Sequence, residues 1–206
     1  MIIDPQSFDP RNVYKLMVGA IVPRPIAFVS TLSADGVRNL APFSFFTGIS
    51  ANPPVICFSP MIRGSDGEQK DTLKNIRETR EFVVNVVSEE FADRMNVCSG
   101  EYPPEVDEFE LSGLTPLPSI CVKPPRVKES HIQMECRLFQ IVEVSRKPLG
   151  GSIVLGEVVR FHVDDMFFDN FKIDPDKLMP IGRMGGPTYT RTTDRFEMER
   201  PQVKAK

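Results

Sequence analysis

Lys70-Asp71-Thr72 heads an amphipathic segment running to Arg80, in which Leu73 and Ile76 share a face and charged residues fill the rest. A helix start exposes unpaired N–H groups and the positive end of the helix dipole, so Lys70 beside Thr72 can cradle one phosphate. The same residues also read as an ordinary surface helix capped by Asp71. A second cluster, Ala41-Pro42-Phe43-Ser44-Phe45-Phe46-Thr47-Gly48, sets three phenylalanines among small hydroxyl residues. It fits either a bulky core loop or an aromatic wall against which a flat ligand lies. Pro42 removes a backbone donor and Gly48 permits unusual dihedrals, so an irregular surface is expected there rather than another ladder strand.

The elements that must hold these clusters are mostly strands. Asp9-Pro10 starts a helix with Asp9 as the cap, and the prolines of Val22-Pro23-Arg24-Pro25 impose extended backbone leading into a strand over Ile26 to Leu32. Asp35-Gly36 turns the chain back through Val37 to Leu40. Val55 to Ser59 is a continuous apolar run suited to a strand buried on both sides, and Phe82 to Val87 is another strand. Ser88-Glu89-Glu90 opens a helix reaching Cys98, and the Pro- and Gly-punctuated stretch from Gly100 to Pro125 is expected to wrap the surface as a lid or dimer arm. Ile132, Met134, Cys136 and Leu138 alternate with polar residues, as in a half-buried antiparallel strand, and Leu138-Phe139 breaks the phase as a bulge would. Lys147 to Gly151 turns into a last long strand over Ile153 to Val163. Strands joined by hairpins, with few short helices, predict a mainly β chain: an antiparallel barrel with peripheral helices.

Composition narrows the function classes. The 206 residues, 41% of them hydrophobic, suffice for one substantial core. A net charge of -3, from 25 basic and 28 acidic residues, offers no global field for nucleic acid. No Gly-x-Gly-x-x-Gly follows a strand and there is no Walker A sequence, so neither a Rossmann domain nor a P-loop is supported. Cys57, Cys98, Cys121 and Cys136 lack the paired spacing of a zinc or redox site and are expected to be free thiols. The start of the chain lacks a secretory pattern and no stretch approaches the about 20 apolar residues of a membrane span, so a cytoplasmic protein without membrane association is expected.

The stretch RPIAFVSTLSADGVRNLAPFSFFTGISANPPVICFSP, the segment KDTLKNIRETREFVVNVV, Met134 to Leu138, Leu155 to Asp165 and IGRMGGPTYTRT from Ile181 to Thr192 closely resemble the flavin reductase-like family of FMN-binding split-barrel proteins. This family includes flavoredoxins and the reductase components of two-component monooxygenases. The resemblance implies one FMN-binding split-barrel domain over residues 1–206 and a homodimer. It implies that Thr31, Lys70, Asp71 and Thr72 hold the phosphate end, that Asn39, Leu40, Ala41, Ser44, Phe45, Phe46 and Ser59 line the ring and ribityl chain, and that Arg183 and Tyr189 lie near the cofactor edge. His162 falls where related proteins place a residue near the nicotinamide, although burial or simple strand exposure accounts for it as well. The implied activity is NADH- or NADPH-dependent reduction of flavin, supplying reduced flavin or electrons to a partner such as a monooxygenase, with no catalytic side chain beyond the flavin itself. The alternative is a non-catalytic FMN electron carrier, and a flavin-free binding protein is a third reading.

Overall fold

In a computed structural model, which describes residues 1–202, α1 spans Pro10–Ala20, with the Asp9 carboxylate accepting from the Arg11 N–H at 2.7 Å and Pro10 in the first turn. β1 (Ala27–Leu32) and β2 (Arg38–Phe43) form the expected hairpin, closed where Gly36 takes φ of 85°. β3 (Phe46–Ala51) and β4 (Pro54–Phe58) make a second hairpin. This corrects the expectation of an irregular aromatic stretch: Pro42 pairs with Phe28 inside the ladder and Phe46 with Phe58, leaving only Ser44-Phe45 outside it. Pro42 is tolerated because β2 is an edge strand, where a missing N–H breaks no ladder bond.

The chain continues through α2 (Asp71–Thr79), β5 (Glu81–Val86), α3 (Ala92–Val97), α4 (Glu108–Ser112), β6 (Pro116–Leu117) and β7 (Arg126–Val127). Then come the long hairpin of β8 (Ile132–Glu143) and β9 (Ser152–Val163), followed by β10 (Phe168–Asp169), β11 (Lys172–Ile173), α5 (Pro175–Leu178), β12 (Ile181–Arg183) and β13 (Tyr189–Arg191). The helix expected from Ser88 begins as a 3-10 turn over Glu89–Phe91 before α3.

Seven strands form one antiparallel sheet in the order β2-β1-β5-β8-β9-β4-β3. Its two edges, β2 and β3, are consecutive in the chain and joined by Ser44-Phe45, so the sheet curls until both edges lie on one side of the barrel, a seam across which the two strands do not pair. Register shifts at Gly48/Ser50, Glu135/Cys136 and Leu138/Gln140 supply bends of the kind bulges give. The last of these is the phase break expected at Leu138-Phe139. The result is a split β-barrel. Its interior holds Phe43, Phe58 and Phe82, with ring centroids 5.0 and 5.5 Å apart in sequence, and Leu73 and Ile76 of α2 plug one end. A Cβ on Gly156 would sit 2.2 Å from the Phe82 ring, so a glycine is required there.

β8 departs from the half-buried reading, since Ile132 through Cys136 are buried on both faces. The polar face is covered by the segment between Gly100 and Pro125. That segment docks on its own barrel through buried Phe109 and Leu114, and Glu135 accepts N–H bonds from Ile120, Cys121 and Val122 at 2.8, 2.5 and 3.2 Å.

Candidate functional site

α2 places the first part of the site. Lys70, not Asp71, is its N-cap residue, and no side chain caps the helix start. Asp71 lies in the first turn and accepts from Arg63 Nη2 at 2.7 Å and from Lys74 Nζ at 3.3 Å. Arg63, from the loop before the helix, is drawn against the helix start, and its Nε is buried with no hydrogen-bond partner. Burial pushes the Lys70 ammonium below its ordinary value; the Arg63 charge acts in the same direction, while Glu101 and Asp71 oppose it. An uncapped helix start, a lysine that is costly to keep charged and an orphaned guanidinium N–H together make a seat for an anion.

A buried polar cluster ties this seat to the seam. Thr72 Oγ1 donates to Asn39 Oδ1 at 2.7 Å, Thr31 Oγ1 donates to the same oxygen at 3.3 Å, and Asn75 Nδ2 donates to Thr31 Oγ1 at 3.0 Å. Asn39 Nδ2 and the Leu40 N–H donate to the two oxygens of Glu108, each at 3.0 Å. Thr31 and Thr72 are buried, so their hydroxyls hold β1, β2 and α2 in register. Burial pushes the Glu108 carboxyl above its ordinary value despite these donors.

At the seam, Ala41 and Phe46 pack partly against the barrel interior. The Ser59 N–H donates to the Phe45 carbonyl at 2.9 Å, stitching the β2–β3 connection to the end of β4. Ser44 Oγ accepts from Arg24 Nε at 3.1 Å. The β12–β13 hairpin joins this edge through paired backbone bonds between Arg24 and Arg183 at 2.9 and 2.8 Å. Ser44, Arg183, Tyr189 and Tyr14 thereby line one pocket of about 180 Å³. The Arg183 guanidinium stacks 4.3 Å from the Tyr189 ring centroid, and the Tyr189 hydroxyl donates to Asn96 at 3.0 Å. Phe45 lines a second, apolar hollow of about 310 Å³ together with Val13, Tyr14, Met17, Met61 and Leu149. Of the expected site residues, Ser44, Phe45 and Ser59 gather at the β2–β3 connection, Thr31, Asn39 and Thr72 join β1, β2 and α2 in one cluster, Arg183 and Tyr189 share a pocket with Ser44, and the Leu40 side chain is buried in a second core.

His162 is placed differently. Its Nε2 lies 2.6 Å from Glu135, in the buckle that holds residues 120–122. Although burial works the other way, the N–H groups of Ile120 and Cys121 and the ring of His162 hold the Glu135 carboxyl below its ordinary value. The four cysteines are free; burial pushes the thiol of Cys98 up to about 11 and raises those of Cys57 and Cys136. Among the described residues no group of three or more His, Cys, Asp and Glu could hold a metal ion, and no helix is long and apolar enough to cross a membrane.

Sequence reasoning named neither Arg24, Arg63 nor Glu108 as part of the site. Arg63 carried a weak signal, a lone arginine in a Gly-containing loop just ahead of the helix. Arg24 and Glu108 carried none, because their partners are remote in the chain.

A seam with unsatisfied donors at one end and an aromatic, hydroxyl-bearing turn at the other suits a flat ligand that carries a phosphate, and the uncapped α2 start beside Lys70 and Arg63 fits that phosphate. Residues 18–175 match the family model described as the flavin reductase like domain. The chain belongs to the flavin reductase-like family. It is 36% identical to nitrilotriacetate monooxygenase component B from Bacillus cereus, covering 96% of this chain and 98% of that one at a TM-score of 0.91. To the 2-nitrobenzoate 2-nitroreductase NbaA from Pseudomonas fluorescens it is 34% identical, covering 98% and 96% at a TM-score of 0.87. An uncharacterised protein from Aquifex aeolicus is 45% identical over 89% of this chain and 91% of its own length.

Proposed function

We propose that this protein is an NAD(P)H-dependent FMN reductase that supplies reduced flavin or electrons to a partner, such as a flavin-dependent monooxygenase. One observation carries the choice of FMN: the uncapped start of α2 with Lys70 and the unpartnered Nε of Arg63 beside it, which suits a phosphate and has no counterpart ligand in riboflavin. Bound there, FMN would supply the chemistry, accepting hydride from the nicotinamide and passing electrons onward.

The chain's own residues hold, orient and shield. Lys70, Arg63 and the first N–H groups of α2, beside Asp71, neutralise the phosphate. Thr31, Thr72 and Asn39 fix the distance between α2 and β2, and with Leu40 set the edge of β2 through Glu108. Ser44 presents its hydroxyl, and the Phe45 carbonyl is held back by the Ser59 N–H. Ala41 and Phe46 give the ring an apolar floor, with Arg183 and Tyr189 closing the far edge. In this reading His162 braces the barrel through Glu135.

A homodimer belongs to the same proposal. β3 is a free edge with Thr47 through Ala51 exposed, and Ile49, Phe139, Val144 and Phe161 are exposed apolar side chains of the kind a second copy would cover. Light scattering at micromolar concentration should report twice the chain mass.

The activity is tested by stopped-flow reduction of the flavin-loaded protein with NADH and with NADPH, followed by steady-state turnover on FMN, FAD and riboflavin with bound flavin quantified. Reduction fast enough to sustain turnover supports the reductase. Bound FMN reduced too slowly to turn over would favour the electron carrier.

A further inference from the structure

Arg24 is only 4% exposed. Its Nη1 donates to the carbonyls of Val18 and Ile21, each at 2.7 Å, its Nη2 to the Met184 carbonyl at 2.9 Å, and its Nε to Ser44 Oγ at 3.1 Å. The guanidinium carbon lies 5.8 Å from the centroid of the Phe45 ring. All four acceptors are neutral. Val18 and Ile21 lie at the C-terminal end of α1, whose dipole brings the equivalent of about half a negative charge. Roughly half of the guanidinium charge is left without a counter-charge. Burial pushes Arg24 below its ordinary value, and Arg183 adds to this while Tyr14 opposes it. An arginine nevertheless stays protonated in a protein. A buried positive charge without a carboxylate is a standing cost to the fold, and it lies against Ser44 and Phe45, the two residues outside the ladder between β2 and β3.

We propose that Arg24 is a positioning residue that tunes the seam towards an electron-rich ring, acting through Ser44. Because the Nε–H fills an acceptor site on Ser44 Oγ, the hydroxyl's own proton is free to point out of the wall. The residual positive charge behind Phe45 then favours whatever negative charge develops in front of it. This rests on the flavin reading above: taking up two electrons and one proton leaves the bound ring with one more negative charge than before. Arg24 should therefore make the site prefer reduced over oxidised flavin, while also pinning α1 and the C-terminal hairpin to the seam.

The test is an anaerobic redox titration of the bound flavin, against a reference dye, in wild type, Arg24→Gln, Arg24→Lys and Ser44→Ala. In Arg24→Gln the preference for reduced flavin should fall about tenfold, the loss of one charge-assisted interaction, which lowers a two-electron potential by about 30 mV. Arg24→Lys keeps the charge and should stay near wild type, and Ser44→Ala should shift the same way by less. An unchanged potential in both Arg24→Gln and Ser44→Ala, with flavin still bound, overturns the role of Arg24 alone. If Arg24→Gln does not fold, Ser44→Ala decides: a lowered potential supports the role and an unchanged one overturns it. Wild-type protein that binds no flavin would overturn the site reading and this role together.

Discussion

Two buried glutamates show how differently the barrel treats charge in two places. Under the segment covering β8, Glu135 is fully buried and accepts from three backbone N–H groups and His162; burial works against its charge, but the N–H groups of Ile120 and Cys121 and the His162 ring hold its carboxyl below the ordinary value. Beside the seam, Glu108 accepts from the Leu40 N–H and the Asn39 amide and remains above its ordinary value. The seam region repeats that shortfall: Lys70 is costly to keep charged, Arg63 Nε has no partner and Arg24 has no carboxylate. Well-compensated charge is architecture. Under-compensated charge of mixed sign, gathered along one seam, is what a ligand with a phosphate and a polar ring would complete.

The largest expected effect breaks the architectural side of this comparison. Glu135→Ala removes the common acceptor of three N–H groups and leaves His162 unpaired, and should cost about 3 kcal/mol of stability. Denaturant unfolding measures the loss, while flavin affinity of the folded fraction should stay within a few-fold of wild type. A collapse of flavin binding without loss of stability would mean that Glu135 serves the site.

The pH dependence of stability sharpens the contrast, because the two carboxyls carry opposite signs. Glu135, held below its ordinary value, contributes stability that is present above the unfolded value of 4.5 and lost as pH falls through its lowered value. Glu108, held above, contributes stability that is present below 4.5 and lost as pH rises through its raised value. Melting temperature followed across the acidic range should therefore show Glu108→Gln losing the decline on the high-pH side. Glu135→Gln should lose the decline on the low-pH side. The same sign for both variants would contradict the assignment.

A smaller effect is expected at alkaline pH. Lys70 loses its proton below the ordinary value of 10.5, so FMN affinity should begin to fall with rising pH before an ordinary lysine titrates, while riboflavin affinity stays flat over that interval. Fluorescence titrations of both flavins across this range measure it, and parallel curves would remove Lys70 from the phosphate seat.

Much of the fold could be read from local sequence because its signals are local. Asp9-Pro10 caps and starts α1, Asp35-Gly36 closes the first hairpin, Leu73 and Ile76 mark the buried face of α2, and the broken alternation at Leu138-Phe139 marks a real register shift. The two misreadings arise from tertiary context. Pro42 argues against a ladder unless its strand lies at an edge, and the polar face of β8 looks solvated unless a Pro-rich segment from elsewhere in the chain folds over it. In the site, family resemblance pointed to residues on β1, β2, β3 and α2, but not to Arg24, Arg63 or Glu108. Arg24 is 20 residues from Ser44 and 160 from Met184, and Glu108 is 68 from Leu40. No periodicity or motif links such pairs before the barrel closes.

The central claim is that the α2 end of the seam seats the phosphate of FMN, and calorimetric titration of FMN and riboflavin into wild type and Lys70→Ala at fixed salt tests it most directly. A charge-assisted hydrogen bond is worth roughly 1.5–3 kcal/mol, so Lys70→Ala should weaken FMN on the order of ten- to a hundredfold and leave riboflavin nearly unchanged. Equal losses for the two flavins, or no loss for either, would contradict it.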